Sequence, residues 1–294
     1  MHWQIGADRK LPLDERTLVM GVLNVTPDSF SDGNQFLSPD AALMHARAMI
    51  ADGAAIIDVG GESTRPGAAL ISPEEEIERV TPVIEALAKE TEVPISIDTT
   101  KSMVARAALA AGATIVNDIS ALRFDYHIAD EVVKANAGLI LMHSRGTPAT
   151  MQRLPPAADI IADIIHSLRA SIAMAERRGV QRDSIVIDPG IGFGKTYAQN
   201  LEIIAKLDQL QSAFPDVPIM IGTSRKAFIG QLLADADGNP APSDRRLHGT
   251  MATVAAAILN GARIVRVHDV SAAVQTAKVV DAIKSAGAHA LMAF

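Results

Sequence analysis

The sequence contains no cysteine, few aromatic residues and no long apolar run. The absence of cysteine excludes disulfides, thiolate zinc sites and cysteine nucleophiles. Aromatic residues make up 3% of the chain against 48% for all hydrophobic residues, so the core must be aliphatic, as parallel sheets usually are. No apolar run reaches bilayer-spanning length, and Met1 to Lys10 lack the apolar core of a signal peptide.

The sequence also has fewer basic than acidic residues. The formal net charge is −7 and the pI is about 5.6, which argues against nucleic acid or a membrane surface as a partner. These features together predict a soluble, cytoplasmic protein. A chain of 294 residues is long for one ordinary domain but fits one α/β barrel, so we expect a single domain over residues 1–294.

One stretch combines a short apolar strand, a carboxylate and a glycine-rich turn. Three β-formers at 185–187 lead to Asp188, and Pro189 then ends the ladder because it has no backbone N–H. Glycines at 190, 192 and 194 allow positive φ and let a ligand approach the backbone. Alone, this pattern fits a helix-capping Asp equally well.

The same pattern of strand, polar loop and helix recurs along the chain. Strands are predicted at 18–25, 55–59, 94–98, 114–118, 138–142, 185–188, 219–222 and 264–268. Helices are predicted at 38–52, from 72 onwards, and at 101–111, 127–136, 157–178, 198–207, 225–233, 247–259 and 270–286. This alternation predicts an α/β fold of the (β/α)8 TIM barrel type, with a doubly wound open sheet as the alternative. The polar stretch 235–246 is expected to be a mobile surface insertion.

Polar side chains stand at or near the end of most predicted strands. They are Asn24, Asp58, Asp98, Asn117, Asp118, His143, Asp188, Lys226, Arg266 and His268. Barrels place their active sites at the C-terminal ends of the strands. Any one of these residues could be structural, but the set predicts a ligand site.

The types of side chain indicate the ligand. Carboxylates such as Asp98 and Asp188 can each accept two parallel bonds from a heterocycle with an NH/NH2 edge, and Lys226 could bond a ring carbonyl. Arg266 and His268 stand at the last strand, where barrels often bind phosphate. The sequence therefore predicts a planar heterocycle attached to a phosphate ester. Asn24 offers a neutral oxygen suited to Mg²⁺ held mainly by phosphate and water.

Two loop segments carry a close resemblance to a known family. Residues 24–33 (Asn-Val-Thr-Pro-Asp-Ser-Phe-Ser-Asp-Gly) and 61–67 (Gly-Glu-Ser-Thr-Arg-Pro-Gly) resemble the signature segments of bacterial dihydropteroate synthase. Further stretches match in the same order at 97–99, 117–119, 141–143, 188–195, 224–226 and 266–270. The similarity covers roughly residues 18 to 281.

The resemblance implies condensation of 6-hydroxymethyl-7,8-dihydropterin pyrophosphate with p-aminobenzoate, giving 7,8-dihydropteroate and pyrophosphate. It also implies Mg²⁺, a homodimer and inhibition by sulfonamides, which compete with p-aminobenzoate. The implied pterin site is Asp98, Asn117, Ile119, Met142, Asp188, Phe193 and Lys226. The implied pyrophosphate site is Asn24, Thr64, Arg266 and His268, with Asn24 also on the metal. The implied p-aminobenzoate site is Phe30, Thr64, Arg65, Pro66, Phe193, Ser224 and Lys226.

The catalytic residues are expected to act by electrostatics and positioning. They are Asp98, Asp188, Lys226, Arg266 and His268. With no cysteine and no Gly-x-Ser-x-Gly elbow, we expect direct substitution at the pterin methylene without a covalent enzyme intermediate. A dissociative path is expected, in which Mg²⁺, Arg266 and His268 stabilise the leaving pyrophosphate.

Alternative functions share parts of this pattern. A pterin-binding methyltransferase domain of corrinoid systems would not need Arg65 and Pro66, and a non-catalytic paralogue would be expected to lose Arg65, Lys226 or His268. The glycine-rich turn is neither a P-loop nor a dinucleotide fingerprint. His143 is expected to be structural, and Lys101 and Lys195 are expected to be solvated.

Overall fold

Eight parallel strands form the centre of the structure, a computed structural model that describes residues 1–26, 39–63, 70–147 and 150–291. The barrel strands are β3 (Leu18–Asn24), β4 (Ile56–Gly60), β5 (Ile95–Asp98), β6 (Ile115–Asp118), β7 (Gly138–Met142), β8 (Ile185–Asp188), β9 (Met220–Ile221) and β10 (Ile264–Val267). Their order in the sheet is β8-β7-β6-β5-β4-β3-β10-β9. One isolated parallel bridge, Ile187 to Ile219, brings the two ends of the sheet together. The predicted (β/α)8 barrel is confirmed, and the open sheet is not observed.

Helices surround the barrel. They are α1 (Pro39–Ala51), α2 (Pro73–Glu90), α3 (Ser102–Ala110), α4 (Ile128–Ala135), α5 (Ile160–Arg177), α6 (Tyr197–Ala205), α7 (Leu207–Ala213), α8 (Ala227–Leu232), α9 (Leu247–Leu259) and α10 (Val270–Leu291). Short 3-10 helices occupy Met151–Arg153, Arg182–Ser184 and Ser243–Arg245. Across the described ranges, none of the helices combines the length and apolarity needed to cross a bilayer.

The barrel is filled by an apolar layer that alternates with the outer core. Every second residue of the strands points inward, which places Met20, Ile56, Ile115, Ile140, Val186, Met220 and Ile264 in one interior cluster. The intervening residues pack outward against the helices in a second, larger cluster. Both clusters are almost entirely aliphatic, as the composition predicts.

A hairpin that the sequence reading did not anticipate closes the N-terminal end of the barrel. Strands β1 (His2–Gln4) and β2 (Lys10–Pro12) pair antiparallel. Trp3, fully buried, belongs to the interior cluster, and its indole N–H donates to the Ser184 carbonyl at 2.8 Å. This end of the barrel is therefore plugged, and the opposite end is left for ligands.

One predicted helix differs from the observed elements. The single helix predicted at 198–207 is the first of two, because the chain leaves helical geometry at Lys206 and α7 follows. The stretch 235–246 carries defined turns: Asn239 N donates to the Asp235 carboxylate at 2.9 Å, and Ala241 N donates to the Gly230 carbonyl at 2.9 Å. Its mobility stays a prediction.

Candidate active site

The site lies at the C-terminal mouth of the barrel. Its residues form the layer of inward-facing side chains that comes directly after the apolar interior layer. Ile56 is followed two residues later by Asp58, Ile115 by Asn117, Val186 by Asp188 and Ile264 by Arg266. Because a strand's side chains alternate, a polar residue two positions after an inward-facing one also faces inward. The sequence therefore places a polar layer directly on top of the apolar layer.

Arg266 binds two carboxylates in this layer. Its Nε lies 2.6 Å from Asp58 Oδ2, and its terminal nitrogen lies 2.6 Å from Asp98 Oδ2. Asn117 Nδ2 donates to the same oxygen of Asp58 at 3.0 Å. The other oxygens, Asp58 Oδ1 and Asn117 Oδ1, are buried without a hydrogen-bond partner among the described residues. Buried acceptors of this kind are ready to receive N–H groups from a ligand.

The electrostatics of this network are set by burial. Burial disfavours the guanidinium of Arg266, but Asp58 and Asp98 outweigh it and raise its pKa. Burial also raises the pKa of Asp98 to about 7, although Arg266 acts in the opposite direction. The mouth of the barrel thus holds a carboxylate that titrates near neutral pH beside a permanent cation.

Asp188 occupies the far side of the mouth, at the end of β8. Its Oδ1 accepts the N–H of Gly190 at 2.6 Å, and burial raises its pKa while that bond and Lys226 lower it. Gly190 has φ of +70°, and a Cβ there would lie 1.9 Å from the His143 carbonyl oxygen. Only glycine fits this turn, which explains one glycine of the predicted loop.

Lys226 faces the same space from the loop after β9. Its Nζ lies 4.4 Å from the centre of the Phe193 ring, a cation–π contact. Burial and Arg266 lower the pKa of Lys226 to about 8, while Asp188 and Asp98 favour its charge. Lys226, Phe193 and Asp188 therefore form one wall of the site.

Ser224 and His268 form a third group at the mouth. Ser224 Oγ accepts the backbone N–H of His268 at 3.2 Å and lies 3.0 Å from its Nδ1. Burial, with Arg266 and Arg225, lowers the pKa of His268 to about 3, so the ring is neutral at pH 7. A hydroxyl that accepts one N–H has its own proton to donate to Nδ1, which favours the neutral ring with hydrogen on Nε2.

The loop carrying Ser224 and Lys226 is held by an ion pair next to them. Arg225 has φ of +58°, a region that non-glycine residues seldom adopt. Its guanidinium donates to both carboxylate oxygens of Asp269 at 2.6 and 3.0 Å, and Arg246 donates to its carbonyl at 2.9 Å. These contacts fix the backbone that places Ser224 and Lys226 on the two sides of the turn.

Ile119 and Met142 are both buried; Ile119 begins the loop after β6, and Met142 is the last residue of β7. The Ile119 loop is held by Asp118, whose carboxylate accepts the N–H groups of Ser120 at 2.7 Å and Leu122 at 2.6 Å. Leu122 and its neighbour Ala121 both have positive φ. Backbone strain of this kind persists only where the surroundings enforce it.

Asn24 ends β3 beside Gly60, and it is the predicted metal ligand. A Cβ placed on Gly60 would lie 3.8 Å from Asn24 Oδ1 and 3.6 Å from Asp98 Cβ, so the two side chains flank that glycine. Among the described residues, no group of three or more His, Asp or Glu side chains is arranged to hold a metal. This donor set fits an Mg²⁺ ion that takes one amide oxygen from the protein and its other ligands from phosphate and water.

Four predicted contacts fall outside the described residues. They are Phe30, Thr64, Arg65 and Pro66. Both flanks of the second segment are described, however. Glu62 accepts the N–H of Ile71 at 3.0 Å, and Lys101 Nζ donates to Glu62 at 3.0 Å and to the Ile71 carbonyl at 3.0 Å. The two ends of the β4–α2 connection are therefore tied to one lysine.

The prediction that Lys101 and Lys195 are solvated is wrong. Lys101 also donates to the buried Glu76 at 2.7 Å, so it forms ion pairs with two carboxylates, those of Glu62 and Glu76. Lys195 is 6% exposed, and its Nζ donates to the carbonyl oxygens of His143 and Phe193, each at 3.1 Å. Both lysines lie in the connection that follows a site strand, and this position could have indicated their burial or pairing.

Asp58 is the functional candidate that the sequence reading left without a role. It is fully buried and joins Arg266 to Asn117. A carboxylate inside an apolar strand needs a cationic or N–H partner in the interior, and this was the signal that could have found it. His143 is buried as well, with a pKa that burial lowers strongly, in keeping with the predicted structural role.

Comparison with known proteins agrees with this geometry. Residues 20–268 match the family model described as pterin binding enzyme. The dihydropteroate synthase of Synechocystis is 48% identical over 269 residues, which is 92% of this chain and 91% of that protein.

Two solved structures are similar over nearly the whole chain. The Yersinia pestis dihydropteroate synthase in complex with a sulfonamide drug has a TM-score of 0.89 and 40% identity, covering 97% of this chain and 100% of that one. The Xanthomonas albilineans enzyme in complex with 7,8-dihydropteroate has a TM-score of 0.84 and 38% identity, covering 97% and 99%. The chain with its polar barrel mouth therefore belongs to the pterin-binding enzymes, among the dihydropteroate synthases, which are transferases.

Proposed function

We propose that this protein condenses 6-hydroxymethyl-7,8-dihydropterin pyrophosphate with p-aminobenzoate to give 7,8-dihydropteroate and pyrophosphate. The observation that carries the proposal is the polar layer on the barrel interior. In this layer Asp58 and Asn117 have unpaired buried oxygens, and the carboxylates of Asp98 and Asp188 both act on Lys226. An aminopyrimidinone ring has the N–H edge that such acceptors need, and a carbonyl for the lysine.

The two ends of the substrate would meet different parts of the mouth. We place the pterin against Asp98, Asn117, Asp188 and Lys226, with Ile119, Met142 and Phe193 as its apolar walls. The pyrophosphate would lie at His268 and Arg266, whose side chains stand on and just after the last barrel strand. A neutral His268 with hydrogen on Nε2 can donate to an anion without first gaining a proton.

Bond breaking would be assisted at both ends of the pterin methylene. The C–O bond to pyrophosphate breaks with its electron pair on oxygen, where Arg266 and His268 bind the growing charge. Asp98 and Asp188 stabilise positive charge that spreads into the pterin. The amine nitrogen of p-aminobenzoate then gives its lone pair to the methylene carbon and loses one proton to solvent.

Asn24 would supply the protein oxygen for Mg²⁺, which when bound adds positive charge against the pyrophosphate oxygens. Ser224 would bind the carboxylate of p-aminobenzoate. Arg65, Pro66 and Phe30 are proposed for the same pocket from the family resemblance. Because sulfonamides resemble p-aminobenzoate, they are proposed to compete with it here.

We also propose that the protein acts as a homodimer. Helices α9 and α10 expose large apolar side chains, with Leu259 53% exposed and Val279 and Ile283 near 60%. Covering such side chains is a common reason for self-association. Sedimentation should give twice the chain mass of 31.0 kDa; a monomer at micromolar concentration would contradict the proposal.

The reaction is tested by pyrophosphate release from the purified protein, supplied with the dihydropterin pyrophosphate and Mg²⁺, with and without p-aminobenzoate. Release that depends on p-aminobenzoate, with formation of dihydropteroate, is the expected result. Tight pterin binding without turnover would instead identify a non-catalytic pterin-binding paralogue.

A further inference from the structure

Lys195 is a buried lysine for which the proposed reaction has no use. Its side chain is 6% exposed, although it follows a glycine-rich loop at the mouth of the barrel. Both hydrogen-bond partners of its Nζ are carbonyl oxygens, those of His143 and Phe193 at 3.1 Å. Carbonyl oxygens compensate a buried ammonium less well than a hydrogen-bonded carboxylate does, so burial of this lysine is costly.

The two carbonyls belong to different loops. His143 follows β7, and Phe193 lies in the loop after β8. That loop contains three glycines of positive φ, at 190, 192 and 194. Glycines with this freedom restrain the backbone weakly, so the loop depends on contacts from outside to hold one form.

Outside contacts hold the residues on either side of Phe193: Asn200 Oδ1 accepts the N–H of Gly192 at 2.7 Å, and Arg145 donates to the Gly194 carbonyl at 3.4 Å. Phe193 itself has weaker contacts. Arg145 N reaches the Phe193 carbonyl only at 3.4 Å, and the Phe193 N–H is bonded to the Gly190 carbonyl within the loop at 3.2 Å. Lys195 is a buried side chain that joins Phe193 directly to the end of the neighbouring strand β7.

The position of Phe193 affects two charged groups of the site. The Phe193 ring carries Lys226 Nζ 4.4 Å from its centre. Lys226 in turn acts on Asp188, which stands at the start of the same loop. A shift of the Phe193 backbone would therefore move the wall against which a flat ring binds.

We propose that Lys195 is a positioning residue that holds Phe193, and through it Lys226, in the arrangement that binds the pterin ring. This inference rests on the proposed function, because it assigns Lys195 to the pterin half of the site. The proposed role of Lys195 differs from that of Lys101, whose contacts lie at the β4–α2 connection on the other side of the mouth.

Burial lowers the pKa of Lys195 to about 7, with Asp188 and Asp163 favouring the charged form. A neutral amine has two N–H groups, one for each carbonyl, so the lysine can hold both loops in either protonation state. A variant that tests the proposal must therefore remove the hydrogen bonds that Lys195 donates, and not only its charge.

The test uses Lys195→Met, which keeps the length of the side chain and removes its donors. Binding of the dihydropterin pyrophosphate is measured by calorimetry with Mg²⁺ present, and the KM for p-aminobenzoate is measured at saturating pterin substrate. Lys89→Met on α2, which removes an exposed lysine, is the matched control. Fluorescence of Trp3, the sole tryptophan and buried at the far end of the barrel, reports whether each variant is folded.

The expected result is a Kd for the pterin substrate at least tenfold higher in Lys195→Met. The KM for p-aminobenzoate should rise less, because Phe193 and Lys226 are only part of that pocket. The control should match wild type in both. If Lys195→Met does not fold, Lys195→Gln, which has a shorter side chain, should raise the pterin Kd at least fivefold. A folded variant with a pterin Kd within twofold of wild type would overturn the inference, as would equal losses for both substrates. Failure of the wild-type protein to bind the pterin substrate would overturn the proposed function and this inference with it.

Discussion

At the scale of single residues, Asp98 shows how burial and pairing set chemistry. Its carboxylate is bound by Arg266 at 2.6 Å, yet burial raises its pKa to about 7. Protonation removes an acceptor for the N–H edge of a pterin. We therefore predict that the Kd for the pterin substrate rises about 30-fold from pH 8 to pH 5.5, as the ionised fraction of Asp98 falls. Calorimetry at the two pH values measures the Kd, and the Asp98→Asn variant is the control. An equally steep pH dependence in that variant would contradict the assignment of the titration to Asp98.

The charge of Asp98 should also matter for the reaction itself. In Asp98→Asn the side chain keeps its size but cannot stabilise positive charge in the pterin. We predict that turnover falls at least about 100-fold, in the range typical of lost electrostatic stabilisation. Circular dichroism should show a folded protein. A wild-type rate in this variant would contradict the proposal that Asp98 stabilises positive charge in the pterin.

The contact between Ser224 and His268 predicts which ring nitrogen of His268 carries the hydrogen. Its hydroxyl accepts the N–H of His268 and lies 3.0 Å from Nδ1, so the neutral ring should carry its hydrogen on Nε2. Nitrogen-15 chemical shifts of His268 at pH 7 test this directly. In Ser224→Ala the Nδ1–H form should gain population, whereas Ser224→Thr, which keeps the hydroxyl, should resemble wild type. A protonated ring at pH 7 would contradict the prediction.

The sequence was informative about individual residues wherever a polar type interrupts an apolar strand. Asp98, Asn117, Asp188 and Arg266 could be assigned to one end of the barrel because strand alternation and strand ends are local properties. The burial of Lys195 and the ion pairs of Lys101 could not be predicted, because a lysine's environment depends on carbonyls and carboxylates that other parts of the chain supply. The pairing of Arg266 with Asp58 is hidden for the same reason, since the two residues are far apart in sequence.

At the scale of elements, the β4–α2 connection is held at both ends. Lys101 binds Glu62 at one end, the Ile71 carbonyl at the other and Glu76 in α2. The residues proposed to contact p-aminobenzoate, Thr64 to Pro66, stand between these ends in the sequence.

We therefore predict that Lys101→Met raises the KM for p-aminobenzoate about fivefold to tenfold, while the Kd for the pterin substrate changes less than twofold. This is the opposite pattern to the one expected for Lys195→Met. Steady-state kinetics and calorimetry on the same preparation measure both. Lys278→Met, an exposed lysine on α10, is the control. A larger effect on the pterin than on p-aminobenzoate would contradict the role of this connection.

Most elements could be predicted from periodicity, and the exceptions have physical causes. The break between α6 and α7 at Lys206 is not marked by proline or glycine, so the sequence has no local stop signal there. The β1–β2 hairpin consists of two three-residue strands, too short for alternation to be recognised. Its position becomes clear only when Trp3 meets the barrel interior.

At the scale of the whole molecule, stability and ligand binding are separated along the barrel axis. Trp3 plugs the N-terminal end, and a Cβ on Gly138 would lie 3.0 Å from its indole, so the packing is tight. We predict that Trp3→Ala lowers the free energy of unfolding by about 3–5 kcal/mol. At 25 °C, kcat should remain within twofold of wild type if the variant is folded.

Urea unfolding followed by circular dichroism measures the loss of stability. Met44→Ala on α1, where the side chain is 68% exposed, should change it by less than about 0.5 kcal/mol. Loss of activity in folded Trp3→Ala would show that the two ends of the barrel are coupled after all.

The isolated bridge between Ile187 and Ile219 has a consequence for substrate range. It joins the strand that ends in the proposed pterin carboxylate Asp188 to the strand that leads to Ser224, the proposed aminobenzoate ligand. Repacking at this seam can change the distance between the two reacting partners while the other seven strand pairings stay intact. We therefore expect apolar substitutions at this seam, although they touch neither proposed substrate, to change which aromatic amine the protein accepts.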